Sequence, residues 1–354
     1  MQFHLNGFQV GDPEIVPAER EHPDTLPDAL DVLIVGCGPA GLVLAAQLAA
    51  FPSIVTHIVE RSPGPLELGR ADGVACRTVE MFHAFGFSER LVKEAYQVNE
   101  TVFWRPDPAD RTRIVRTGRV QDVEDDLSEM PHVILNQARV HDYLLETMRR
   151  SPTRLEPNYG LEVVDVAVAD AGERPVRVTL TGDDGEPVTV HAKYVVGCDG
   201  ARSTVRRAIG RELRGDDANH AWGVIDILAV TDFPDIRLKA AIQSDRCGNI
   251  LLIPREGGYL VRLYVDLGQV DLANRAAVRR TTADEVIAVA QRVLHPHRLD
   301  VKETAWFSVY EVGQRLTDRF DDLPADATDA RQPRVFIAGD ACHTHSAKAG
   351  QGMN

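Results

Sequence analysis

A chain of 354 residues with 44% apolar content is long enough to bury more than one core. Its formal charge of −14 argues against nucleic acid as a partner, because phosphate contacts rely on clustered Lys and Arg. No apolar run reaches the ~18 residues of a membrane span, residues 1–20 lack the cationic start and apolar core of a secretory leader, and five dispersed cysteines without a C-x-x-C pair fit a reduced, cytoplasmic protein.

Residues 1–30, rich in Pro and acidic groups, predict an extended arm. Asp31 to Val35 then reads as a short buried parallel strand, Leu42 to Ala50 as a helix, and "SIVTHIVE" as a second strand. Between the first strand and the helix, Gly36, Gly38 and Gly41 form G-x-G-x-x-G, with Pro39 and Ala40 in its last variable positions. Glycines there allow a tight turn and close approach of a pyrophosphate to the helix N-terminus. Glu60 ends the second strand 19 residues after Gly41, where a carboxylate accepts from a ribose hydroxyl. An ordinary βαβ turn is the plainer alternative, and the pattern alone leaves FAD and a nicotinamide dinucleotide both open.

Further on, Val140, Tyr143, Leu144 and Met148 fall at helical spacing within residues 133–150. "PVRVTLTGDDGEPVTVHAKYVVGCDG" predicts strand, D-G turn, strand and a buried strand ending at Cys198. From about 216 to 312 the pattern is β-rich, interrupted by the helical "TADEVIAVAQRVL", and "RQPRVFIAGDA" returns to the buried parallel type. These elements predict an α/β chain in which a Rossmann-like dinucleotide-binding domain (31–98, 131–213 and 330–354) is interleaved with a β-sheet substrate domain (99–130 and 214–329).

The segment "GDACHTHSAKAGQGMN" packs Cys342, His343 and His345 together, all three of zinc-binding type. A structural zinc needs a fourth ligand, and the adjacent Cys342 and His343 do not chelate easily, so no metal is expected. Instead, "CDGARSTVRRAIG" and "GDACHTHSAKAGQGMN" resemble the two later fingerprints of the single-component FAD-dependent aromatic hydroxylases. With "LGRADGVACRTVEMFHAFGF" and "PHVILNQARVHDYL" the resemblance narrows to the phenol hydroxylase branch. It implies FAD as cofactor and NADPH, or NADH, as co-substrate. It further implies FAD contacts from Asp340, Gly350, Gln351, Gly352, Met353, Asn354, Gln137 and Arg61, and from Asp199 near both FAD and the nicotinamide. Arg70, where Gln is expected in this branch, either makes a bidentate contact to FAD phosphate or alters the substrate pocket. Members of the family continue beyond the position of Asn354, so a C-terminal part of the family fold is expected to be absent here.

The same resemblance places Asp72 and Tyr264 at the hydroxyl of a phenolic substrate, with a turn former and an ordinary strand aromatic as their plain readings. In "IRLKAAIQS", alternation puts Ile236, Leu238, Ala240 and Ile242 on one face and Arg237, Lys239 and Gln243 on the other. Lys239 is then either a solvated lysine or the anchor of a substrate carboxylate, with His132 as second candidate and Arg262 as fallback. The implied reaction is hydroxylation of a phenolic acid, 3-hydroxybenzoate to 3,4-dihydroxybenzoate, through a flavin 4a-hydroperoxide formed with dioxygen. Alternatives are a 2-monooxygenase of uncharged phenols, a flavin dehydrogenase or oxidase, and an FAD-binding fragment without turnover. Neither nucleic acid nor membrane is an expected partner, and homodimerisation stays open.

Overall fold

In the computed structural model, residues 15–19, 23, 25–69, 71–182, 185–269, 280–324, 332–345 and 352–354 are described, apart from the side chains of 216–219 and 311–312. The chain divides into two compact units: Met1–Glu67, Ala138–Arg214 and Arg315–Thr344 form the first, and Leu68–Gln137, Gly215–Gln314 and His345–Asn354 the second. This division differs from the sequence expectation in that 68–98, 131–137 and 345–354 belong to the second unit and 214 and 315–329 to the first. The reason for 131–137 is local: His132–Ile134 pairs antiparallel with Gly73–Val74 and with Tyr96–Val98.

The first unit is built around β1 (Ala29–Val35), α1 (Pro39–Leu48) and β2 (Thr56–Glu60). β1 runs parallel to β2 and to Pro187–Gly197, and Val335–Ile337 adds a further parallel strand. Buried parallel strands have both faces covered, which is why "LDVLIV" carries no polar alternation beyond Asp31. Pro187–Gly197 also forms the antiparallel hairpin with Val176–Thr181 that the D-G turn predicts. The 137–150 helix buries Val140, Tyr143, Leu144 and Met148, the four residues of its apolar spacing. In the described part of the arm, Val16 and Glu19 donate to the carbonyls of Arg150 and Pro152.

The second unit has a sheet with strands in the order Leu299–Leu316, Arg214–Thr231, Val261–Gln269, Asn249–Pro254, Lys239–Gln243, Glu100–Pro106 and Ile114–Gln121. One face carries the core, including Ile225, Ile227, Ala240, Ile242, Leu252, Leu263 and Val265. Helix Ala283–Val293, started by a Thr282–Glu285 capping box, packs on this core through Val286, Ala290 and Val293. Gly223 makes room for it, since a Cβ there would lie 2.5 Å from Val286 Cγ2. The opposite face carries Val224, Ile253 and Tyr264, which cluster with Val98 and Ile134 of the three-stranded sheet. No helix among the described residues is long and apolar enough to cross a membrane.

Candidate functional site

Within the first unit, the β1–α1 turn is shaped by its glycines in three different ways. Gly36 has φ +103°, and a Cβ there would sit 2.5 Å from the Cys198 carbonyl oxygen. A Cβ on Gly41 would sit 2.0 Å from the Gly36 oxygen, so only glycine lets α1 lie against the turn. Gly38 is the exception: its φ is −71° and the nearest atom to its Cβ would be 3.9 Å away. The protein's own packing does not require glycine at 38. Pro39 opens the helix, which has no side-chain N-cap and no acidic residue in its first turn. Free N–H groups and the positive end of the helix dipole therefore face a turn kept clear of side chains, which fits a bound pyrophosphate.

Glu60 closes this turn from the end of β2. Its Oε2 accepts from Cys37 N at 2.8 Å and its Oε1 from Ser62 N at 2.9 Å. The carboxylate expected to meet a ribose thus also fixes the loop, with lone pairs remaining on both oxygens. Arg61, next to it, is exposed. Burial pushes the Cys37 and Cys198 thiols up, Cys198 to about 12, so both are neutral packing groups.

Val335–Ile337 delivers the 3-10 turn Gly339–Ala341, leaving Asp340 exposed at the strand's C-terminal end. Gly339, at φ +62°, brings this turn to Ala40 of α1, a Cβ there lying 3.1 Å from Ala40 Cβ. Asp199 is engaged locally: it accepts from Thr204 N at 2.7 Å and Val205 N at 3.1 Å and from the Ser203 hydroxyl. It therefore helps start helix Thr204–Ala208, whose buried Arg206 donates to the Ala341 carbonyl at 3.0 Å. The two later fingerprints are thus tied together by one guanidinium. No cluster of three or more His, Cys, Asp or Glu able to hold a metal occurs among the described residues.

Within the second unit, Asp72 is fully buried and sits in a network that the sequence reading half foresaw. Tyr264 Oη donates to Asp72 Oδ1 at 3.3 Å. Arg255 Nη1 donates to Oδ2 at 2.6 Å, and Arg262 Nη1 lies 3.1 Å from the same oxygen. Arg262 also forms a bidentate pair with Asp226, at 2.6 and 2.7 Å, and lies over the Trp306 ring at 4.8 Å. Two buried arginines thus face two buried aspartates. Burial works against the Arg262 charge, but Asp226 and Asp72 outweigh it and raise its pKa above the ordinary value. Burial, reinforced by Asp72, pushes the Tyr264 phenol up, so it is a neutral donor. Arg262, the fallback cation for a carboxylate, is committed to these aspartates.

Arg255 and Asp226 were missed from the sequence. A lone Asp in the apolar "GVIDILAV" is the signal that could have found Asp226, because a carboxylate in a buried strand needs a cation at cross-strand register. Register pairs Asp226 with Arg262, and Arg262 with Ile253.

Lys239 and His132 come together on a third residue the sequence reading did not single out. Lys239 Nζ donates to Asp122 Oδ1 at 2.9 Å, His132 Nδ1 lies 2.6 Å from Oδ2, and Thr101 Oγ1 donates to Oδ1 at 2.9 Å. Burial disfavours the Asp122 charge, yet His132 and Lys239 hold its carboxyl well below the usual range. His132 is 3% exposed, and its Nε2 has no hydrogen-bond partner among the described residues. Lys239 lies on the sheet face opposite the core, as alternation predicts, with Ala240 and Ile242 in the core.

Gln137 and Asn354, expected to touch flavin, brace the loop that carries Asp72. Gln137 Oε1 accepts from Ala71 N at 3.2 Å; Asn354 accepts from Ala75 N at 2.7 Å and donates to the Gly73 carbonyl at 3.1 Å. Met353 is buried, and a Cβ on Gly352 would lie 3.4 Å from His345 Cε1. Arg70, Gly350 and Gln351 lie outside the described residues.

Residues 29–354 match the family described as FAD binding domain. The chain is 62% identical over 365 residues to 3-hydroxybenzoate 4-monooxygenase of Comamonas testosteroni, covering 100% of this chain and 57% of that protein. It is 42% identical over 330 residues to the FAD-dependent monooxygenase terD of Aspergillus terreus, covering 92% of this chain and 51% of the relative. The chain therefore spans little more than half the length of these curated relatives. Among solved structures, p-nitrophenol 4-monooxygenase PnpA from Pseudomonas putida DLL-E4 superposes with TM-score 0.71 at 22% identity, over 92% of this chain and 76% of that one, a likeness of fold. With the glycine turn and uncapped helix of the first unit and a family match over nearly its whole length, the chain belongs to the FAD binding domain family.

Proposed function

We propose that the protein carrying this chain is an NADPH-dependent FAD monooxygenase that hydroxylates 3-hydroxybenzoate to 3,4-dihydroxybenzoate. The observation that carries the reading is a sheet face on which Tyr264 meets Asp72 and, two strands away, Lys239 meets Asp122 beside His132. Lys239–Gln243 and Val261–Gln269 are separated by one strand, so Lys239 and the Arg262–Tyr264 stretch stand about 10 Å apart across the sheet. The relative's name supplies the substrate.

FAD, when bound, supplies the redox chemistry that activates dioxygen. The chain's residues do the rest. Gly36, Gly38 and Gly41, with the N–H groups of α1, hold the pyrophosphate, Glu60 accepts from a ribose, and Asp340 takes the ribityl side. Two guanidiniums saturate Asp72 Oδ2, leaving Oδ1, which faces Tyr264, as the oxygen that meets the phenolic O–H. Drawing that proton toward Oδ1 makes the ring electron-rich, as attack on an electrophilic oxygen requires. Tyr264, neutral and both donor and acceptor, relays the proton. Arg255 and Arg262 keep the carboxylate in place without a net buried charge.

Lys239→Met tests the reading. Losing a charge-assisted bond worth ~1.5–3 kcal/mol should weaken 3-hydroxybenzoate roughly 10- to 100-fold and leave phenol little changed. Equal weakening of both would contradict the carboxylate anchor.

A further inference from the structure

His132 reaches Asp122 through Nδ1, at 2.6 Å from Oδ2. An ionised carboxylate accepts only, and Asp122 is held ionised by Lys239 and His132. Nδ1 must therefore carry a hydrogen. In the neutral imidazole this leaves Nε2 as a bare lone pair, and Nε2 is buried without a partner among the described residues. A substrate carboxylate cannot pair with a lone pair. The charges agree with the geometry: Lys239, Asp122 and a neutral His132 sum to zero, whereas an imidazolium leaves one positive charge to meet a carboxylate.

Resting on the substrate reading above, we propose that Asp122 sets the ligand preference of this site by fixing the His132 tautomer, so that a carboxylated ring binds only together with a proton at Nε2. With His132 neutral, Nε2 instead accepts from an uncharged hydroxyl. Affinity for the carboxylate then falls as pH rises, about tenfold per unit wherever its binding takes up one whole proton. The charged and titratable groups around His132 are Asp122 and Lys239, with Thr101 bridging to Asp122. On the paired strand Tyr96 donates to the Arg237 carbonyl, and Asp72, held by Arg255 and Arg262, adjoins the far end of the His132 strand.

The test is calorimetric titration of the FAD-loaded protein with 3-hydroxybenzoate and with 3-hydroxybenzyl alcohol, in two buffers of different ionisation enthalpy, above neutral pH. The alcohol corrects for any proton exchanged at the phenol end. The expected result is about one proton more taken up with the benzoate, and a tenfold loss of its affinity per pH unit. In Asp122→Asn an amide can donate to Nδ1, freeing a neutral Nε2–H tautomer, and the extra uptake should vanish; His132→Gln, a permanent neutral donor, should do the same. Tight benzoate binding with the alcohol's proton count overturns this inference alone. Benzoate binding no better than the alcohol at any pH overturns the substrate reading and the inference with it.

Discussion

Gly38 and Gly41 separate what the fold needs from what the cofactor needs. A Cβ at 41 meets the Gly36 oxygen at 2.0 Å, backbone against backbone, so Gly41→Ala forces α1 away from the turn. Overpacking of this kind costs ~1–3 kcal/mol or more, and thermal unfolding of the apoprotein should shift down by several degrees. At 38 the nearest atom to a Cβ is 3.9 Å away and φ is −71°, so the backbone accepts a side chain there and Gly38→Val should lose mainly the Gly preference of an N-cap, ~1 kcal/mol or less. The branched side chain fills the space through which a pyrophosphate approaches the N–H groups of α1. FAD affinity should fall at least ~100-fold, equivalent to ~2.7 kcal/mol. Flavin occupancy follows from visible absorbance against protein absorbance, and fold from calorimetric melting of the apoprotein. A folded Gly38→Val protein that binds FAD at wild-type affinity would refute the cradle; one that fails to fold would refute the claim that position 38 is free of packing constraint.

Asp72→Ala should keep FAD yet slow hydroxylation by ~10²–10⁴, measured as product formation under saturating reductant; unchanged turnover would reduce Asp72 to a structural anion. Arg262→Met strands Asp226 and should cost ~3–5 kcal/mol in denaturant unfolding, most of it recovered by adding Asp226→Leu, and the absence of such recovery would contradict the ion-pair assignment. His141 is buried neutral, with its pKa lowered to about 4 by burial against a small opposing pull from Glu60. The unfolded chain therefore binds a proton that the folded one refuses between about pH 6.5 and 4, so stability is lost as pH falls through that window, by about 3 kcal/mol in all. His141→Gln should flatten the decline in melting temperature across it, and an unaltered profile would show that other groups cause it.

Much of the fold was legible because period and chemistry agreed. "LDVLIV" with three glycines and Glu60 specified the βαβ turn, and Lys239 was placed on the face opposite Ala240 and Ile242 by alternation alone. What was illegible came from pairing across long separations. Arg255 meets Asp72 across 183 residues and Lys239 meets Asp122 across 117, and no local pattern encodes either. The dual use of Glu60, Gln137 and Asp199 as loop and helix braces was hidden for the opposite reason: motif spacing for Glu60, and resemblance for the other two, named a cofactor role, while the hydrogen bonds to Cys37, Ala71 and Thr204 appear only with the backbone in place.

Isotopically heavy dioxygen tests the central claim most directly. The protein carrying this chain, loaded with FAD and given NADPH and 3-hydroxybenzoate, should release 3,4-dihydroxybenzoate with a heavy atom in the new hydroxyl, seen by mass spectrometry. Flavin oxidation that yields only peroxide, or a product whose new oxygen comes from water, would contradict it.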